Sequence, residues 1–100
     1  MTRLVVAADA EADTADILAH LAREAGPLVA ADYGVRFQVT IQRMVDLPES
    51  GAPRRRLGPN TRIAIVAPYI LIFDYAREDD VLTLLRLLHG KRDIARLLSR

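Results

Sequence analysis

The chain has 100 residues, 51% of them hydrophobic, with 14 Lys+Arg, 13 Asp+Glu, 2 His and no Cys, for a formal net charge of +1. That length suits one domain with a real core; the composition excludes disorder, a disulfide scaffold, cysteine chemistry and a uniformly basic coat for nucleic acid. The longest apolar run, Ile63 to Phe73, is broken by Pro68 and falls short of the ~20 residues that span a bilayer, and the start of the chain does not read as a signal peptide.

Thr2 to Ala8 (TRLVVAA) is β-branched in its middle and reads as an opening strand, with Leu4 and Val6 on one face. Asp9 or Asp13 is the expected cap of a first helix, and the acids Glu11, Asp13 and Asp16 suit the positive end of its dipole. Ile17, Leu18, Leu21, Ala22 and Ala25 follow helical spacing. Gly26 then supplies a left-handed stop and Pro27 a start, because proline is tolerated in a first turn.

A second helix is expected from Pro27 to Asp46, with Ala30, Tyr33, Phe37, Ile41 and Met44 forming an apolar stripe. Asp32 and Arg36 make an i,i+4 pair on another face. The tight Gly-Pro corner makes the two helices an antiparallel αα-hairpin, and the aromatic stripe belongs in a core against a sheet.

Leu47 to Asn60 (LPESGAPRRRLGPN) holds three Pro, two Gly and three consecutive Arg, so no regular structure is expected there. Thr61–Ala67 and Tyr69–Tyr75 alternate as strands, with Pro68 at their connection. Ala76–Asp80 is a polar turn. Val81–Leu88 fits a helix through Val81, Leu84, Leu85 and Leu88. It fits a strand nearly as well, with Leu82, Leu84 and Leu88 on one face and Val81, Thr83, Leu85 and Leu87 on the other. Hairpin logic favours the strand. Asp93 is the expected cap of a short terminal helix, Ile94 to Ser99.

Signatures of catalysis are sparse. No Gly-rich phosphate loop, HExxH or nucleophile elbow occurs. His20 and His89 lie far apart in sequence, neither beside a second ligand at metal spacing, so no metal and no cofactor is expected. His20 reads as an exposed polar residue of the first helix. Two basic clusters remain: Arg54, Arg55 and Arg56 with Arg62 nearby, and His89-Gly90-Lys91-Arg92-Asp93 at the end of the last segment. Residues 1–53 carry four Arg against eight acids, net −4, whereas residues 81–100 carry five basic residues against Asp93 alone, net +4. The near-neutral total therefore conceals a basic C-terminal end, and its guanidinium groups suit anion recognition.

The order of these features carries a resemblance: Ala15-Asp16-Ile17 on a first helix, Gly26 at a corner, Tyr33 and Ile41 on a second helix, then Leu47-Pro48-Glu49-Ser50-Gly51, Arg56-Leu57-Gly58, Arg62, Pro68-Tyr69, Tyr75 and the terminal His-Gly-Lys-Arg-Asp. Over essentially the whole chain it resembles the ParE branch of the RelE/ParE toxin superfamily of bacterial type II toxin–antitoxin modules. The resemblance implies an α+β fold of order β-α-α-β-β-β-α, filling residues 1–100 as one toxin domain. That is an N-terminal strand, an αα-hairpin, a three-stranded antiparallel meander and a short C-terminal helix, so the Leu-rich segment becomes the last strand.

It further implies a cytoplasmic toxin that poisons DNA gyrase without being an enzyme. Its implied partner is a ParD-like antitoxin, a ribbon-helix-helix DNA binder, with operator DNA reached only through that antitoxin and no membrane involved. Arg54, Arg55, Arg56, Arg62, His89, Lys91 and Arg92 are the expected target-binding residues. Leu18, Leu21, Val29, Tyr33, Phe37 and Tyr69 are the expected lining for an antitoxin helix. The alternative is a RelE-like, ribosome-dependent mRNA endonuclease using Arg62, His89 and Arg92. Against it, a Tyr important to RelE falls near Leu98, its basic Lys pair has no counterpart, and guanidinium groups stay protonated, so only His89 offers a general base.

Overall fold

The computed structural model describes residues 1–93. The terminal helix expected over Ile94–Ser99, and with it Leu98, lies outside them. Strand β1 (Arg3–Val6) leads through Ala7 into helix α1 (Ala8–Ala25), which is followed by α2 (Pro27–Asp46). Strands β2 (Ala52–Pro53), β3 (Thr61–Val66), β4 (Tyr69–Ala76) and β5 (Val81–His89) complete the order. The sheet runs β1-β5-β4-β3-β2. β1 pairs parallel with β5, in register from Arg3↔Val81 to Val6↔Leu84, and the other neighbours are antiparallel.

Both helices cover one face of the sheet. Phe37 and Met44 of the predicted stripe are fully buried against Val66, Tyr69, Leu71, Phe73, Leu82, Leu84 and Leu87, while Tyr33 and Ile41 pack at the margin. Each such side chain contributes roughly 1.5–3 kcal/mol by leaving water. On the opposite face Ile63, Ile72 and Leu88 form a smaller cluster, with Leu57, Ile70 and Leu85 packed onto it.

Four local expectations are corrected. The residue that caps α1 is Ala7, extended and without a side-chain cap bond, so neither Asp9 nor Asp13 caps it. Asp9 stands in the first turn beside the dipole, and Asp13 is committed to β5 instead. Gly26 has φ 99° and ψ 163°, which is not the left-handed helical region but one that essentially only glycine occupies. Its N–H bonds to the Leu21 carbonyl and its carbonyl accepts the Ala30 N–H, so this one residue ends α1 and opens α2.

The Pro-rich loop holds a short strand after all. Ala52 and Pro53 pair with Ile63 and Arg62 at the sheet edge, where a proline's missing donor costs least. Last, a β-bulge opposite Ile72 and Phe73 leaves Leu85 without a partner in the ladder. Beyond it the alternation reverses: Leu87 joins Leu82 and Leu84 against the helices, and Leu88 joins Leu85 on the other face. That extra residue is why the segment matches a helical period and a period of two almost equally well.

Candidate functional site

The two basic clusters lie at different ends of the sheet. Arg62 opposes Phe73 on β4, whereas His89 opposes Tyr69. Four residues along β4 span about 13 Å, and two strand spacings add about 10 Å across the sheet. Arg62 and Arg92 accordingly line separate cavities. The structure thus assembles His89 with Arg92 and leaves Arg62 out.

The first cavity, about 480 Å³, lies between α1 and the end of β5, lined by Asp16, Ile17, His20, Leu21, Pro68, Tyr69, His89 and Arg92. His20 is exposed, as its sequence context predicts, but it faces the same space as His89. No local pattern links two histidines on elements so remote in sequence. The Tyr69 ring meets Phe37, Tyr33 and His89 edge-on at 5.6, 5.5 and 6.0 Å. Burial, with Tyr33 alongside, raises the Tyr69 pKa above the usual phenol value, while Arg92 pulls it down.

At the rim, helical structure begins at Gly90, ahead of Asp93. The His89 Nδ1 accepts the Arg92 N–H at 3.5 Å, and Asp93 Oδ2 accepts the His89 N–H at 2.8 Å. This reciprocal arrangement makes His89 the cap rather than Asp93. Lys91 and Arg92 remain exposed, Arg92 within 3.3 Å of Asp93.

The second cavity, about 180 Å³, is polar and is lined by Glu49, Asn60, Thr61, Tyr75 and three arginines, Arg55, Arg62 and Arg77. Arg62 Nη1 donates to the carbonyls of Glu49 at 3.0 Å and Gly51 at 2.9 Å, which fixes the guanidinium and ties the loop to β3. The Glu49 carboxylate accepts from Arg77 at 2.5 Å and stands 3.9 Å from Arg62 Nη2. Arg77 and Glu49 are site residues that sequence reasoning does not reach, since they come from a turn and a loop that look merely polar.

Of the expected antitoxin lining, Phe37 is 2% and Tyr69 8% exposed. Both belong to the chain's own core, because the stripe of α2 packs directly on the sheet. Leu18, Leu21 and Tyr33 are half-buried and Val29 is exposed, so these four keep accessible surface. Tyr33 donates its hydroxyl to the Ala67 carbonyl at 3.3 Å and lies under Arg36 at 4.7 Å. Among the described residues no group of three or more His, Asp or Glu could hold a metal, and no helix is long and apolar enough to cross a membrane.

Comparison with known proteins agrees with this architecture. A solved structure described as the chromosomal ParDE TA system from P. aeruginosa superposes with a TM-score of 0.76 at 20% identity, covering 91% of this chain and 98% of that one. No curated protein sequence matches. The family model for the ParE toxin of the type II toxin-antitoxin system, parDE, matches residues 4–94. The chain belongs to the ParE toxin family of type II toxin–antitoxin systems.

Proposed function

We propose that residues 1–100 form one cytoplasmic toxin domain that binds and poisons DNA gyrase, and that a ParD-like antitoxin holds it inactive and corepresses the operon with it. The observation that carries the reading is the family match over residues 4–94. The separation of Arg62 from His89 and Arg92 supports contact over catalysis, because a general acid, base and charge stabiliser must share one reacting centre.

In this reading the target meets two basic patches, Arg54–Arg56 with Arg62 at one end of the sheet and His89, Lys91 and Arg92 at the other. The antitoxin lays an amphipathic helix over Leu18, Leu21, Val29 and Tyr33. The test is a supercoiling assay with purified gyrase and antitoxin-free protein. Loss of supercoiling with trapped cleavage complexes is expected, and unchanged supercoiling would overturn the proposal. Codon-specific cuts on translating ribosomes would point to the endonuclease instead.

A further inference from the structure

The outer face of α2 carries large apolar side chains that the core does not use. Leu28 is 85% exposed, Val35 59% and Val39 54%, and Leu47 is exposed just past the helix end. Leu28, Val35 and Val39 point away from the sheet, roughly half a turn round the helix from Phe37 and Met44. None of them joins either core cluster. Scattered singly they would need no explanation, but a single row of them marks a contact surface.

The row has the spacing of a helix-pairing seam. Leu28, Asp32, Val35, Val39, Gln42 and Asp46 are all exposed and recur at alternating steps of four and three, the repeat that keeps one helix face against another. The seam is also its own complement. About a two-fold axis level with Phe37, two antiparallel copies of α2 place Val35 on Val39, Asp32 on Gln42 and Leu28 on Asp46, each pairing occurring twice. Four valines then close the centre, and Leu47 beside Asp46 gives Leu28 an apolar neighbour at each end.

Charge selects the same arrangement. Asp32 comes alongside Arg43 of the second copy, so two intermolecular ion pairs flank the valines. Parallel packing would instead set Asp32 against Asp32 and Asp46 against Asp46, which like charge disfavours. Arg36, the cation nearest the axis, is drawn aside: it pairs with its own Asp32 at 3.9 Å and lies 4.7 Å from the centre of the Tyr33 ring. We propose that the chain associates with a second copy of itself through this face, as a two-fold antiparallel dimer of α2 helices. Val29 and Tyr33 stand off the seam, so self-association and antitoxin binding use different sides of the helix.

The experiment measures the mass of the full chain, without antitoxin, by sedimentation equilibrium over a concentration series. One helix face from each copy makes a small interface, with an expected dissociation constant on the order of 10 µM. Val39→Glu should weaken association at least about tenfold, since it sets two charges among the valines. The site is exposed, so its circular dichroism melt should stay close to wild type. Asp32→Arg and Arg43→Asp should each weaken association by bringing like charges together, and the double variant should restore much of it. The chain has no Cys, so mixing Val35→Cys with Val39→Cys under oxidation should trap a linked dimer faster than either variant does alone. A chain that stays monomeric well above the expected constant would overturn the proposal. So would a dimer that Val39→Glu leaves intact, because the contact would then lie on another face.

Discussion

Arg86 on β5 grips Asp13 on α1 with two nitrogens, Nε to Oδ2 at 2.7 Å and Nη2 to Oδ1 at 3.1 Å. The same Oδ2 accepts the backbone N–H of Leu87 at 3.0 Å. β1 leaves the ladder at Leu84, so the edge of β5 beyond that point has lost its neighbouring strand. The Asp13 carboxylate takes over one of the donors that β1 no longer reaches. Asp13 is also the main reason the Arg86 guanidinium holds its proton more tightly than usual, against the opposing effect of burial.

Asp13→Ala should therefore destabilise the fold, by about 1–3 kcal/mol, since it leaves a partly buried arginine and a strand N–H without their acceptor. Thermal unfolding would read this as a loss of roughly 4–8 °C for each kcal/mol. Arg86→Ala should cost less, because the Asp13 carboxylate keeps the Leu87 N–H. Equal melting temperatures for Asp13→Ala and wild type would refute the assignment.

Asp80 sets a dependence on acid. Its Oδ1 accepts from the Thr2 hydroxyl at 2.7 Å and the Tyr75 hydroxyl at 2.8 Å, and these bonds hold its pKa below the ordinary 3.8. A carboxyl depressed in the folded state stabilises the fold above its ordinary pKa, and that contribution is lost as pH falls through the folded value. Melting temperature should thus drop below about pH 4, and less steeply in Asp80→Asn. Tyr75 works in the opposite direction. Its bond to Asp80 raises the phenol pKa above 10, so the fold weakens only as pH climbs past that range. Identical acid profiles for Asp80→Asn and wild type would rule this out.

Two glycines should respond oppositely to alanine. At Gly26 a new Cβ would meet nothing within 4 Å, so the whole penalty is its backbone conformation, roughly 1–3 kcal/mol. Gly34 lies inside α2, where a Cβ would make ordinary contact with Leu18 at 3.9 Å. Gly34→Ala should stabilise by about 0.5–1 kcal/mol, because alanine loses less chain entropy in a helix. Chemical denaturation of the two variants measures both signs.

On the helical face, Phe37→Ala should cost about 3–5 kcal/mol by opening a hole in the core. Val29→Asp, at a position 39% exposed, should leave the melting temperature nearly unchanged and weaken antitoxin binding. If Val29→Asp binds antitoxin as wild type does, the hairpin is not the helix-docking surface.

The hairpin was readable because its cause is local. Gly26-Pro27 can only be a corner, and the stripe from Ala30 to Met44 has one buried face, so α2 runs from Pro27 to Asp46 as expected. β5 resisted reading because its bulge shifts the pattern by one residue at Leu85. The sites resisted for a different reason. Glu49 with Arg77, Asp13 with Arg86, and His20 with His89 are brought together only by the fold, and no spacing rule spans such separations. The basic clusters were visible as composition, yet their division between two ends of the sheet depends on the register of β4 against its neighbours.

The pairing of β1 with β5 bears on the timing of synthesis. Thr2 finds its acceptor 78 positions later, at Asp80, and β5 is the strand that joins β1 to the remaining sheet. A nascent chain lacking β5 has no partner for β1, no Arg86 for Asp13 and no floor beneath α1. Contacts of such long range close late and slowly. A chain that ends before β5 therefore lacks the strand that ties β1 and α1 to the rest of the sheet.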